Sequence, residues 1–123
     1  MTSIVKEISS MRVSSVLNRN AKEYGKQYMT DNCEDTCWNS DQGTPQWVLL
    51  NFSHDVTVEE LLIQFQGGFA GKECWIEGKS DGVMNKISSI YPEDTNTFQI
   101  SFYNFAIENL IFKTTFTVNI NLY

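Results

Sequence analysis

The chain has 123 residues, a formal net charge of −6 and an apolar fraction of 41%, with 13% aromatic residues. This length and composition fit one domain with a single core, residues 1–123, and argue against global disorder. Nucleic-acid binding needs clustered positive charge, whereas the nine basic residues are scattered along an acidic sequence. We therefore expect no direct contact with DNA or RNA and no attraction to anionic membranes.

The first residues, "MTSIVKEISSMRVSS", are interrupted by charges and lack an apolar stretch of signal-peptide length. No run of 18 apolar residues is present to span a bilayer. These features predict a nuclear or cytoplasmic protein. The three cysteines, Cys33, Cys37 and Cys74, are then expected to be free thiols, because intracellular thiols are kept reduced.

Helical signals are confined to "AKEYGKQYM", residues 21–29. Gly25 lies in the middle of this stretch and lowers its helix propensity by about 1 kcal/mol relative to alanine. The sequence predicts a short helical turn or an ordered loop there.

Elsewhere, several stretches separated by turn residues alternate apolar and polar residues with a period of two, which is typical of half-buried antiparallel strands. "QWVLLNF" is apolar on both faces and predicts a central strand with Trp47 buried at its start. Five other stretches predict strands whose inward residues are Leu61, Ile63 and Phe65; Cys74 and Ile76; Phe98, Ile100 and Phe102; Leu110 and Phe112; and Val118, Ile120 and Leu122. Six or more strands with almost no helix indicate an all-β sandwich or barrel.

The segment "DNCEDTCWNSDQG" invites a metal site. A zinc site built from the three cysteines and His54 is disfavoured, because Cys33 and Cys37 are four positions apart and Cys74 falls on an inward strand position. The residues imply no required cofactor, and the metal they would suit is a structural Ca²⁺ held by Asp31, Glu34 and Asp35. The commoner alternative is that these side chains satisfy the backbone of a turn.

No enzyme signature is found. A dyad of Cys37 and the sole histidine, His54, is conceivable, but a lone histidine in a turn between strands usually has no catalytic role. "GGFAGK" is not a phosphate loop, because Gln66 occupies the first glycine position and Glu73 follows Lys72.

Several motifs are similar to a known domain type. "DNCEDTCWNSDQGTPQWVLLNF" resembles the discoidin, or coagulation-factor C-type, pattern of an Asp-rich turn, a Thr-x-Trp-x-Ser element and a Gln-Trp that leads into a strand. "RVSSVLNRN", "TCWNSDQG", "IQFQGGF" and "YPEDTNTFQ" together resemble a small eukaryotic family of orphan nuclear-receptor-associated proteins, described as repressors of a testicular orphan receptor.

The resemblance implies a galactose-binding-like jelly-roll β-sandwich of about eight strands. It also implies that Asp35, Trp38, Ser40 and Trp47 are architecture at the rim of the sandwich. Family members carry an acidic loop containing Phe-Phe-Gly-Arg before the last strand, whereas "KTTFTVNINLY" passes almost directly from one strand to the next. Because that loop lies near the usual ligand mouth, an inherited ligand site is not assured.

These observations predict a non-enzymatic, intracellular protein-binding module, acting on a nuclear receptor or within a larger assembly. The alternative is a discoidin-like domain that binds a carbohydrate or another small ligand. In either case we expect the site at one loop end of the sandwich, with Phe69 as an interface anchor. The predicted binding residues are Trp38, Gln66, Phe69, Lys72, Tyr91, Glu93 and Asp94.

Overall fold

The computed structural model describes residues 7–31, 33, 35–43, 45–65, 73–91, 93, 98–114 and 119–122, with the backbone alone at 98, 100–102, 104, 105 and 119–122. The strands are β1 (Ile8–Val13), β2 (Trp38–Asn39), β3 (Gln46–Phe65), β4 (Cys74–Ser80), β5 (Val83–Ile90), β6 (Phe98–Thr114) and β7 (Asn119–Leu122). A short helix, α1 (Ala21–Tyr24), lies between two 3₁₀ turns, Leu17–Arg19 and Lys26–Met29. No helix within these described ranges is long and apolar enough to cross a membrane.

The helical segment is short for local reasons. The side chain of Asn20 caps α1 by accepting a hydrogen bond from the Glu23 backbone N–H at 3.2 Å. Gly25 then leaves the helix with ψ 173°, and a Cβ at this position would lie 2.4 Å from the carbonyl oxygen of Ala21. The predicted short turn over residues 21–29 is therefore confirmed, and glycine is required there by close approach to the backbone.

Two long strands, β3 and β6, pair with each other along most of their length and organise the whole molecule. Their register shifts between Asn51 and Val56 and again between Val58 and Glu60, and such bulges bend a ribbon. The first part of β3 pairs with β1 on one edge and with the end of β6 on the other. The end of β6 also pairs with β4, and β4 pairs in turn with β5. The last part of β3 pairs with β7, which carries β2, and with the beginning of β6.

The result is a β-sandwich whose two layers share β3 and β6. One layer has the order β1-β3-β6-β4-β5, and the other has the order β2-β7-β3-β6. The predicted all-β sandwich is confirmed. The described residues form seven strands, and β3 and β6 each run continuously through the bend and serve both layers.

The core lies between the layers and contains most of the residues that alternation placed inward. Leu61, Ile63 and Phe65 are buried, as are Cys74, Ile76, Leu110 and Phe112. The rings of Phe65 and Phe112 lie 6.4 Å apart and connect the two layers. The inward set predicted on β7 and at Phe98, Ile100 and Phe102 lies outside the described side chains, and Val118 lies outside the described residues.

The predicted burial of Trp47 is wrong. Val48 and Leu50 point into the core, so the strand period of two turns Trp47 and Leu49 outward, where both are partly exposed. The inward residue at the start of β3 is Gln46, which is 3% exposed. The predicted central strand is confirmed, because this part of β3 pairs with β1 on one edge and with β6 on the other, but its second face is on the surface of this chain.

Candidate functional site

The connections between the layers begin and end at one end of the sandwich. In the first layer, Cys74 pairs with both Thr114 and Ile90, and Thr114 pairs with Gln46, so these four residues form one row. In the second layer, Ile120 pairs with both Phe65 and Trp38, which forms a matching row.

The chain passes between these rows four times, through residues 40–45, 66–73, 91–97 and 115–118. The described residues that flank these four connections lie at the same end of the sandwich. Binding at this end stays a prediction. Loop ends of this kind are common ligand sites on β scaffolds.

A buried polar network holds this end together, and Gln46 is its centre. The Gln46 Oε1 atom accepts hydrogen bonds from the hydroxyls of Ser14 at 2.6 Å and Ser15 at 2.7 Å. Its Nε2 group donates to the carbonyl oxygens of Asp41 at 3.1 Å and Gly43 at 2.9 Å. Every polar atom of the Gln46 amide is thus used, and the segment after β1 is joined to the loop before β3.

Trp38 belongs to the same network and not to a binding surface. Its side chain is 0% exposed, and its indole N–H donates to the carbonyl oxygen of Ser15 at 2.8 Å. A side chain without exposed area has no surface for a partner. The predicted contact role of Trp38 is therefore corrected to an architectural one.

The other predicted binding residues divide into two groups. Tyr91 is 87% exposed, and Glu93 is exposed beside it, with its backbone N–H and carbonyl held by the side chain of Gln99 at 2.8 and 2.7 Å. Gln66, Phe69, Lys72 and Asp94 lie outside the described residues. The role of Phe69 as an anchor stays a prediction.

The acidic turn is braced by Asp31. Its two carboxylate oxygens accept hydrogen bonds from the Cys33 backbone N–H at 3.0 Å and the Thr36 hydroxyl at 2.5 Å, which is the turn-bracing alternative considered for this segment. Asp35 is exposed, and Glu34 lies outside the described residues. Within the described part of the chain, no three His, Cys, Asp or Glu side chains cluster as metal ligands.

Calcium binding at this turn stays a prediction with a direct test. Ca²⁺ that binds the folded chain alone should raise its melting temperature, and calcium at 100 times the Kd would add about 2.7 kcal/mol of stability. Differential scanning fluorimetry in millimolar calcium measures the shift. An absent shift, or an equal shift after Asp31, Glu34 and Asp35 are changed to Asn, Gln and Asn, would contradict the prediction.

Cys37 and His54 do not form a dyad. The Cys37 thiol donates to the Asn39 side-chain oxygen at 2.9 Å, and burial together with the charge of Asp31 raises its pKa. The two ring nitrogens of His54 contact the Asp55 carbonyl at 2.9 Å and the Glu7 carboxylate at 3.0 Å, and these bonds raise its pKa. Each group is thus engaged with other partners, and a raised thiol pKa lowers the share of the thiolate that acts as a nucleophile.

A second candidate site lies on the outward side of the first layer, and sequence reasoning missed it. Outward residues of β3, β6 and β4 form three rows, namely Trp47, Lys113 and Trp75; Leu49, Ile111 and Glu77; and Asn51, Asn109 and Lys79. We call the first two rows the tryptophan face. The outward positions of an antiparallel sandwich are usually polar, whereas four of these six side chains are large and apolar and all are partly exposed.

An ion pair orders the middle of the tryptophan face. The Lys113 ammonium contacts the Glu77 carboxylate at 2.7 Å, and the same carboxylate oxygen accepts a hydrogen bond from the Trp75 indole N–H at 2.8 Å. The Lys113 contact and the Trp75 bond lower the pKa of Glu77, so the carboxylate stays charged and holds the Trp75 ring. Two features of the sequence indicate this face. "QWVLLNF" is apolar on both sides of the strand, and Trp75 and Ile111 each lie between two inward residues and therefore face outward.

Solved structures define the class of fold. A chitosan-binding module from a chitosanase/glucanase of Paenibacillus sp. IK-5 superposes with a TM-score of 0.74 at 15% identity over 93% of each chain. The family 32 CBM from C. perfringens NanJ, solved in complex with galactose, gives a TM-score of 0.74 at 14% identity over 92% of this chain and 87% of that one. These likenesses establish a galactose-binding-like β-sandwich domain and nothing about the ligand.

Sequence comparison then gives the family. The nuclear receptor 2C2-associated protein of Xenopus tropicalis is 52% identical over 100 residues, which cover 80% of this chain and 74% of that protein. The Danio rerio protein of the same name is 53% identical over 98 residues, 79% of this chain and 70% of its own length. The chain therefore belongs to the nuclear receptor 2C2-associated protein family. No family model matches it.

Proposed function

We propose that this chain is a non-catalytic protein-binding module that associates with a nuclear receptor, alone or within a larger assembly, in the nucleus or cytoplasm. The name of its relatives, nuclear receptor 2C2-associated protein, supports the class of partner. We propose further that the tryptophan face is the contact surface.

The observation that carries this proposal is the row Trp47, Lys113 and Trp75 on the outward side of a sandwich layer. Tryptophan is among the residues that contribute most to protein interfaces, because it brings a large apolar area with few rotatable bonds. Lys113 lies between the two tryptophans in this row, and its ion pair with Glu77 is already formed, so little side-chain ordering is left for binding.

The test is binding of purified nuclear receptor 2C2 to variants of the tryptophan face. Trp75→Thr keeps a strand-forming residue on β4 but removes the ring and its bond to Glu77. We expect affinity to fall by about 2 kcal/mol, roughly 30-fold, as at an interface hot spot. Isothermal titration calorimetry measures the change.

Lys79→Thr is the matched control, because Lys79 lies on the same strand and the same outward face, in its polar row. We expect this variant to bind within about twofold of the unsubstituted chain, as energetically neutral positions do. Equal affinities for Trp75→Thr and the unsubstituted chain, with both folded by circular dichroism, would contradict the proposed surface.

The second candidate is binding of a carbohydrate or small ligand at the loop end. The observation that favours it is Tyr91, which is 87% exposed beside the connections between the layers and offers an aromatic ring for stacking. A glycan array with a Tyr91→Ala control separates the two candidates. Sugar binding that requires Tyr91, with no affinity for the receptor, would favour the second.

A further inference from the structure

An open groove lies between the end of β1 and the helical segment, at the edge of the first layer. Its volume is about 310 Å³, and it is lined by Arg12, Val13, Val16, Ala21, Gly25, Lys26 and Gln27. Two of these side chains are cations and none is a carboxylate. Val13 and Val16 pack against the core and give the groove an apolar floor.

The groove is fixed by internal hydrogen bonds. The Lys26 ammonium donates to the Met11 carbonyl at 2.6 Å and ties the second 3₁₀ turn to β1. The Gln27 side chain donates to the Ala21 carbonyl at 2.7 Å, and the Tyr28 hydroxyl donates to the Lys22 carbonyl. The Lys26 bond holds the helical segment against β1, and the other two bonds brace the segment itself, so the groove is formed before any ligand arrives.

The charge of this region is opposite to that of the chain. Residues 12–26 contain four basic residues and one acidic residue, Glu23, and thus carry +3 in a chain whose total is −6. Arg12 is exposed, and neither Arg12 nor Lys26 forms an ion pair with another described residue. A positive groove on a negative molecule attracts an acidic partner, whereas the net charge of −6 on every copy opposes the association of two copies.

We propose that this groove binds an acidic peptide segment of a protein partner. An apolar side chain of the segment packs against Val13 and Val16, and flanking carboxylates pair with Arg12 and Lys26. A phosphate polymer fits less well, because it needs a longer line of cations and gains nothing from the valine floor. Arg12 pairs with Leu49 of the tryptophan face, so the groove borders that face. The two proposals are distinguished by their probes, because an acidic peptide tests the groove and the receptor tests the tryptophan face.

The test uses fluorescently labelled peptides and fluorescence anisotropy. The acidic probe has a single leucine flanked on each side by glutamates, and the neutral probe replaces every glutamate with glutamine. We expect the acidic peptide alone to bind, with an affinity that decreases as salt rises above 0.1 M, where the screening length is about 10 Å. Arg12→Glu should weaken binding at least about tenfold, equivalent to 1.4 kcal/mol.

Lys79→Glu is the matched control, because it makes the same charge change at a partly exposed site on β4. It should leave peptide affinity within twofold. Since Arg12 is exposed and its side chain bonds to no described residue, Arg12→Glu should keep the melting temperature unchanged. Lys26→Gln gives a second test. Because the Lys26 ammonium also bonds to the Met11 carbonyl, this variant can be less stable, so its peptide affinity is measured well below its own melting temperature.

Three results would overturn the proposal. The first is equal binding of the acidic and neutral peptides, or equal affinity in Arg12→Glu. The second is tighter binding of single-stranded oligonucleotide than of peptide, lost in Arg12→Glu, which would assign the groove to a phosphate polymer. The third is a dimer in sedimentation velocity that Arg12→Glu dissociates, which would assign the groove to a second copy of the chain.

Discussion

Replacing Trp38 with alanine is expected to lower the free energy of unfolding by about 3–5 kcal/mol. The indole is 0% exposed and fills the core between β2 and the helical segment, so its removal leaves a large cavity. Its N–H bond to the Ser15 carbonyl is lost as well. Since a domain of this size is stable by about 5–15 kcal/mol, the variant should approach unfolding at ambient temperature.

Urea denaturation followed by circular dichroism measures this change. Trp38→Phe is the control, because it keeps most of the ring volume but cannot donate to the Ser15 carbonyl. Its loss of unfolding free energy should be smaller than that of Trp38→Ala. Trp47→Ala gives a contrast within the same chain. Trp47 is partly exposed on the outward side of β3, so we expect a loss of about 1 kcal/mol, typical of a single substitution. Equal losses for Trp38→Ala and Trp47→Ala would contradict the assignment of Trp38 to the core and of Trp47 to the outer surface.

Gln46→Leu is expected to lower the free energy of unfolding by about 2–4 kcal/mol, because a buried group that loses its partner costs about 1–3 kcal/mol. Leucine keeps the approximate volume but leaves the hydroxyls of Ser14 and Ser15 without their acceptor. The carbonyls of Asp41 and Gly43 lose their donor, although the exposed loop allows partial rehydration. Thermal and urea unfolding measure the loss.

Gln46→Glu tests the same network through pH. A carboxylate would place an acceptor against the carbonyls of Asp41 and Gly43, so burial and these dipoles raise its pKa in the folded state above the ordinary value of about 4.3. A raised folded pKa means that the variant is most stable below the ordinary value and loses stability as pH rises. The deficit relative to the unsubstituted chain should therefore narrow from pH 7 towards pH 4. A deficit independent of pH would contradict the arrangement around Gln46.

The period of two identified much of the core but did not show which apolar faces are covered. The inward assignment of Leu61, Ile63 and Phe65 is correct, because two of the three residues that alternate with them, Glu60 and Gln64, are polar and only Leu62 is apolar. In "QWVLLNF" the residues on both faces of the strand are apolar, so the pattern does not show which face is buried. That depends on which face the other layer covers, and the local sequence does not contain this information. The strand β5 was missed because it is a polar edge strand without alternation, paired with β4 alone in the described part of the sheet.

The candidate sites were harder to predict than the fold. The basic residues were interpreted as scattered, yet the turn at Gly25 brings Lys26 back to β1 beside Arg12. Likewise, Trp47, Lys113 and Trp75 are far apart along the chain and meet through strand register alone. Local sequence patterns contain no information on such pairings, whereas the rim network around Trp38 was predictable because its motif resembles a known domain type.

The most direct test of the tryptophan face is hydroxyl-radical footprinting of the chain with and without nuclear receptor 2C2. The chain contains three tryptophans, and Trp38 is fully buried, which makes it an internal reference of low oxidation in both states. We predict that Trp47 and Trp75 are oxidised in the free chain and protected together in the complex. Protection of Tyr91 with unchanged oxidation of Trp47 and Trp75 would place the partner at the loop end and contradict the account.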